Sequence, residues 1–83
     1  MKTIYNTYIP ITSQEQANEM REICIENGLP IWEYKIAFKI VENKNYFGYS
    51  TYNNSFGVFT LFHDSETPTT KEEFIELLKI EKL

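Results

Sequence analysis

Residues 13–30 carry the clearest pattern of hydrophobic and polar positions in the chain, and they predict an amphipathic helix. At 100° per residue, four carboxylates fall within one narrow arc: Glu15, Glu19, Glu22 and Glu26. Three apolar side chains lie almost diametrically opposite: Ala17, Met20 and Cys24. Because the apolar side must pack on the rest of the protein, we expect the four carboxylates to face water or a partner.

The ends of this helix are also predicted by local signals. Thr12 and Ser13 are suitable N-cap residues, each followed three positions later by the Glu or Gln of a capping box. Gly28 stands where the residue after the C-cap is expected, and Pro30 prevents continuation. The helix is therefore predicted over residues 14–27.

Four segments have the composition or the period-two alternation of strands, and they cover residues 2–11, 31–41, 46–52 and 56–63. The second is the clearest, with five apolar residues on one face: Trp32, Tyr34, Ile36, Phe38 and Ile40. A turn at residues 53–55 joins the last two strands as a hairpin, since Asn tolerates a positive φ. Gly48 and Gly57 mark bulges or places where another group packs closely on the backbone.

A second helix is predicted after a polar loop at residues 64–68. Thr69 or Thr70 caps it, and its apolar stripe has the spacing i, i+3, i+4: Phe74, Leu77 and Leu78. The order β-α-β-β-β-α predicts one α+β domain over residues 1–83, with a four-stranded, antiparallel-rich sheet and two amphipathic helices on one face. The pattern leaves the strand order open.

Composition indicates a folded, acidic domain. Hydrophobic residues are 42% of the chain and aromatic residues 16%, which is typical of a globule and not of a disordered segment. The formal net charge of −4 argues against direct nucleic-acid binding, because phosphate backbones attract basic surfaces. The sequence shows one cysteine, no recognisable secretion signal and no apolar run of membrane length, so we expect a cytoplasmic protein that does not enter membranes.

Cys24 and His63 are the only thiol and the only imidazole. Cys24 lies on the apolar side of the first helix, which favours a buried side chain over a nucleophile. His63 precedes Asp64 and Glu66, but two of these three metal-binding residue types lie in a predicted loop. We therefore predict no catalytic residue, no metal site and no cofactor, and we interpret the chain as non-enzymatic.

Aromatic residues are concentrated in the hairpin strands. Tyr46 and Tyr52 are predicted to share a face with Gly48, and Phe47 and Tyr49 to share the other face. Whichever face opposes the helices, at least two rings stay exposed, and tyrosine is enriched in protein interfaces. The candidate anchors are therefore Tyr46, Tyr49 and Tyr52. A large exposed apolar face also predicts a two-fold homodimer that buries it.

An alternative interpretation is that the aromatic sheet binds a nucleotide or another planar small ligand. The segment at residues 55–62 is similar to the aromatic strand of RNA-recognition modules, although it lacks their leading basic-Gly pair and the domain is acidic. The rings around Gly48 and Gly57 would form the binding surface, while the scarcity of basic residues disfavours a phosphate-rich ligand.

The four-glutamate helix face is the other candidate binding surface. Its carboxylates repel one another at i,i+4 spacing, and no Lys or Arg is interleaved because Arg21 is predicted to project elsewhere. A basic partner would relieve this repulsion. The predicted partner-binding set therefore combines Glu15, Glu19, Glu22 and Glu26 with the three tyrosines.

The chain as a whole resembles the small uncharacterised proteins carried by bacteriophages. The resemblance rests on the short first strand, the capped helix start at residues 11–16, the Tyr- and Phe-rich hairpins and the helix at residues 70–78. It implies stoichiometric binding to a host protein, as in inhibitors of antiviral systems that sometimes mimic nucleic acid. Together with the acidic helix, it predicts an inhibitor or adaptor that docks on a basic surface of a host protein.

Overall fold

A computed structural model describes residues 2–32, 38–40, 45–60 and 67–81. Over these residues the elements follow the predicted order β-α-β-β-β-α: β1 (Thr7–Ile11), α1 (Gln14–Glu26), β2 (Asn45–Ser50), β3 (Ser55–Phe59), β4 (Thr67–Pro68) and α2 (Lys71–Glu81). The strands form one sheet in the order β3-β2-β1-β4, in which β1–β2 and β2–β3 are antiparallel and β1–β4 is parallel. The α+β prediction is confirmed, with a mixed sheet.

Both helices begin at a hydroxyl cap. Ser13 Oγ accepts a hydrogen bond from the Gln16 backbone N–H at 3.2 Å. Thr70 Oγ1 accepts one from the Glu73 N–H at 3.2 Å. Each hydroxyl satisfies one of the N–H groups that have no partner within the first helical turn, so both predicted starts are confirmed.

The C-terminal end of α1 is closed by a Schellman motif. Gly28 has a φ of +67°. Its N–H donates to the Ile25 carbonyl at 3.2 Å, and the Leu29 N–H donates to the Cys24 carbonyl at 2.9 Å. The predicted role of Gly28 is confirmed, and the chain leaves the helix in a defined direction.

One face of the sheet shares a single hydrophobic core with both helices. The strand register places Ile9, Phe47 and Val58 on this face. The same core contains the buried residues of both helices: Ala17, Met20, Cys24, Phe74 and Leu78. The ring of Phe74 stands edge-on to that of Phe47 at a centroid distance of 5.3 Å. Both helices therefore cover this one face, which we call the helix face.

The hairpin of β2 and β3 has an uninterrupted ladder in which Gly48 and Gly57 stand opposite each other, so neither marks a bulge. A Cβ at Gly48 would lie 3.3 Å from the Thr7 carbonyl oxygen, which makes this glycine a site of close backbone approach. Asn54 in the turn has a φ of 51°, as the sequence predicted.

Of the strand predicted over residues 31–41, the structure describes residues 31, 32 and 38–40, and none of these belongs to a strand of the sheet. Ile31 makes an isolated parallel bridge with Phe56. Of the predicted buried face, Phe38 belongs to the core, and Trp32 and Ile40 are partly buried and pack against it. Trp32 stacks at 6.2 Å on Phe59, whose register places it on the opposite face of the sheet from the helices.

Trp32 therefore contacts both the core and the ring of Phe59. Phe38, by contrast, lies in the core with its ring 6.2 Å from Phe47. The predicted members Tyr34 and Ile36 lie outside the described residues.

The fourth strand is β4, which lies in the segment predicted as a loop. The Thr67 N–H donates to the Asn6 carbonyl at 3.1 Å, and the Thr69 N–H donates to the Tyr8 carbonyl at 2.8 Å. Two residues are too few to show a period-two pattern, so this strand has no signal in the sequence.

Candidate functional site

All four glutamates of α1 are exposed, on the side of the helix opposite its buried residues. We call the surface formed by Glu15, Glu19, Glu22 and Glu26 the acidic face. Ile25, which is 47% exposed, lies on one flank of it. The caps at both ends hold α1 in a defined geometry, so the acidic face is presented on a rigid element.

Two carboxylates of the acidic face pair with cations, in contrast to the expectation from the sequence. Glu19 forms an ion pair with Lys71 of α2. Arg21 Nη1 lies 3.8 Å from Glu22 Oε1, so Arg21 does not project away from the stripe. Both pairs are exposed to solvent, where screening keeps them weak. Over the described part of the chain, Glu15 and Glu26 form no ion pair.

A cleft of about 610 Å³ lies where α1, the start of α2 and the edge of β1 meet. Buried side chains from β1 and α1 contribute to its lining, among them Ile11 and Met20, and exposed Pro68 contributes from β4. Its volume falls within the range of about 300–1,000 Å³ that ligand sites occupy. We call this feature the inter-helix cleft.

Two ion pairs connect different elements around this cleft. Lys71 of α2 reaches Glu19 of α1, and the pKa of Lys71 is raised by its hydrogen bond and charge interaction with Glu19 and, to a smaller extent, by the charge of Glu72. Lys2 Nζ donates to Glu73 Oε1 at 2.7 Å. The pKa of Glu73 is lowered by this bond from Lys2 and by a hydrogen bond from Thr69. The lining contains two lysines and three glutamates.

The edge of β1 presents a hydrogen-bond acceptor to the same cleft. The Tyr8 carbonyl points toward β4, where it accepts the Thr69 N–H. Because alternate residues of a strand point their backbone groups to the same edge, the Pro10 carbonyl points to that edge as well. Pro10 lines the cleft and has no N–H, so this position offers an acceptor and no donor.

The structure does not bring the three candidate tyrosines together. Tyr46 is half-buried on the sheet face away from the helices, with its ring edge-on to Tyr8 at 5.2 Å. Tyr49 is half-buried on the helix face, edge-on to Tyr5 at 4.9 Å. Tyr52 lies in the turn beyond β2 and is 99% exposed, so its predicted place on the Gly48 face is wrong.

Cys24 is fully buried in the core, and burial raises the pKa of its thiol to about 12. The thiol is therefore a core side chain, as the helix pattern predicted. His63, Asp64 and Glu66 lie outside the described residues. Within the described residues, no cluster of three His, Cys, Asp or Glu side chains could hold a metal ion, and no helix is long and apolar enough to cross a membrane.

The lining of the inter-helix cleft was missed by sequence reasoning, because Lys2, Pro10 and Lys71 are far apart in the chain. One local signal does point to it. Lys71 occupies the first turn of α2, where the helix dipole disfavours a cation. A carboxylate from elsewhere in the fold can offset this unfavourable interaction. In the structure that carboxylate is Glu19.

Comparisons with models of protein families, with curated proteins and with solved structures gave no match. The features of this chain that bear on its function are therefore its acidic face, its inter-helix cleft and the exposed turn that carries Tyr52.

Proposed function

We propose that this protein is a small non-enzymatic binding protein that docks the acidic face of α1 on a basic surface of another protein. The observation that carries the proposal is the rigid presentation of four exposed carboxylates, of which one is paired with another element of the fold. The resemblance to small phage proteins extends the proposal to an inhibitor or adaptor that acts on a host protein by stoichiometric binding.

Charge and aromatic contacts have different roles in this mode of binding. Glu15, Glu22 and Glu26 steer the encounter with a basic partner and fix its register. Tyr52, which is 99% exposed at the hairpin turn, offers a rigid ring with a polar tip as an anchor. Tyr46 and Tyr49 are half-buried and already pack on neighbouring rings, so we assign them smaller contributions.

The first test is a charge reversal with a matched control. A partner is captured from bacterial lysate, identified by mass spectrometry, purified and titrated with the wild-type protein and two variants. Glu22→Lys/Glu26→Lys reverses the acidic face without touching the Glu19–Lys71 pair. Glu76→Lys/Glu81→Lys makes the same change in net charge on α2. We expect the α1 variant to lose at least about tenfold in affinity, which corresponds to ~1.4 kcal/mol, and the control to lose much less.

The salt dependence of the same titration provides the second criterion. The wild-type affinity should fall as salt rises, and the α1 variant should lose most of that dependence. Equal affinities of the two variants at low and high salt would contradict docking through the acidic face.

The second candidate function is binding of a planar small ligand at the sheet face away from the helices. Its support is a group of half-buried rings on that side: Tyr8, Trp32, Tyr46 and Phe59. Thermal-shift measurements with nucleotides discriminate the two candidates, because a bound ligand raises the unfolding midpoint by mass action. The absence of any shift at millimolar nucleotide would remove this candidate.

A further inference from the structure

The lining of the inter-helix cleft combines apolar side chains with hydrogen-bond acceptors. Ile11 and Met20 are buried along it, and Glu19 and Glu72 line it with carboxylates. The Pro10 carbonyl adds an acceptor at the edge of β1 that has no accompanying donor. This combination matches a side chain with an apolar stem and a head that only donates hydrogen bonds.

The protein's own Lys71 already occupies such a position. Its ammonium is paired with Glu19 and interacts with the charge of Glu72. Both lysines of the lining are held by internal ion pairs that are 42–48% exposed, so a competing cation can displace them at small cost. The Lys71 ammonium therefore marks where a cationic head fits between the two helices.

We propose that the inter-helix cleft receives an arginine side chain of a basic protein partner, which displaces the Lys71 ammonium from Glu19. Arginine has five N–H donors in a planar fork and no acceptor, so it can replace Lys71 on Glu19 and still donate to a further acceptor of the lining, Glu72 or the Pro10 carbonyl. Its methylene stem packs against Met20 and Pro68. This inference rests on the proposed function, since it names the partner side chain that the acidic region of the fold recognises.

The test uses a defined probe and needs no partner. The blocked peptide acetyl-Gly-Gly-Arg-Gly-Gly-amide is titrated into ¹⁵N-labelled protein while the backbone amide signals are followed by NMR. We expect saturable shifts at Glu19, Lys71 and Glu72. The same peptide with citrulline, which keeps the shape and loses the charge, should bind at least about tenfold more weakly.

Three variants and one control test the displacement of Lys71. Lys71→Met removes the competing ammonium and should tighten peptide binding about threefold or more, whereas Glu19→Gln should weaken it by a similar factor. Lys71→Gln repeats the first change with a polar side chain and should act in the same direction. Lys79→Met removes a lysine of α2 that pairs with Glu76 outside the cleft, and it should leave the peptide affinity unchanged.

Three results would overturn the inference: shifts confined to other residues, equal binding of the citrulline peptide, or unchanged affinity in both Lys71 variants. Its failure is distinguishable from failure of the proposed function. If charge reversal at Glu22 and Glu26 abolishes partner binding while Lys71→Met leaves both partner and peptide affinities unchanged, the acidic face stands and the cleft assignment is wrong.

Discussion

Cys24 illustrates how position in the fold determines the chemistry of one side chain. It lies on the core face of α1 with its side chain completely excluded from water. Removing a thiolate from water is costly, so burial raises the pKa of this thiol from 9.0 to about 12. The neutral thiol therefore acts as a small apolar side chain.

The reactivity of this thiol is directly measurable. At pH 8 we expect native protein to react with 5,5′-dithiobis-(2-nitrobenzoate) at least about a hundredfold more slowly than protein in denaturant, because both the thiolate population and access to sulfur are reduced. The rate should rise with pH, since a raised pKa leaves the thiol protonated throughout the neutral range. A fast phase in native protein that accounts for one thiol per chain would contradict this description.

At the scale of single elements, α1 is defined by its two ends as much as by its apolar stripe. The Ser13 cap and the Schellman turn after Asn27 fix its length and the exit of the chain. α2 is attached to the rest of the fold by two ion pairs. Lys2 pairs with Glu73, and Glu19 of α1 pairs with Lys71. The geometry of the inter-helix cleft depends on these attachments.

Gly28, which follows the C-cap of α1, should be sensitive to substitution. Space is available at this site, with no atom within 4 Å of an added Cβ, but its φ of +67° is unfavourable for L-residues with side chains. Gly28→Ala should therefore lower the free energy of unfolding by about 1 kcal/mol, and Gly28→Asn by less. Urea denaturation measures both values.

The control for this series is Glu26→Ala, at an exposed position in the last turn of α1 where alanine has the higher helix propensity. It should leave stability unchanged or slightly higher. A neutral effect of Gly28→Ala would show that the helix end relaxes and that the Schellman turn does not fix it.

The whole molecule presents two unlike sides. The helix face of the sheet is covered, and the outer surface of α1 is acidic. The opposite side carries the half-buried rings of Trp32 and Phe59 together with those of Tyr8 and Tyr46. Burial of this aromatic side in a two-fold interface would leave the acidic face and the inter-helix cleft exposed. Self-association is therefore compatible with partner binding through the acidic face and with arginine binding in the cleft.

We therefore predict a homodimer through the aromatic side of the sheet. Sedimentation equilibrium at micromolar concentration should give twice the chain mass of 9.9 kDa. Tyr46→Lys places a charge in the interface and should shift the mass toward that of the monomer. Tyr52→Lys makes the same substitution in the exposed turn and should leave the dimer intact. A wild-type mass near 9.9 kDa would refute the prediction.

The sequence by itself determined the features that depend on neighbours within about one helical turn. Capping hydroxyls, the glycine after the C-cap and the i, i+3, i+4 stripe are local, so both helices and the exposure of all four glutamates were predicted. The hairpin turn at Asn54 is also a local feature that the sequence predicted. The α+β class followed from these local signals, together with β1, β2 and β3.

Tertiary structure alone decided what depends on residues distant in the chain. The two-residue β4 exists because it pairs with β1, and the ring contacts of Trp32 with Phe59 and of Phe38 with Phe47 join residues distant in the chain. The pairing of Glu19 with Lys71 joins residues 52 positions apart, and no periodicity encodes it. The inter-helix cleft follows from the same contacts, because its lining comes from four elements that only the packed core brings together.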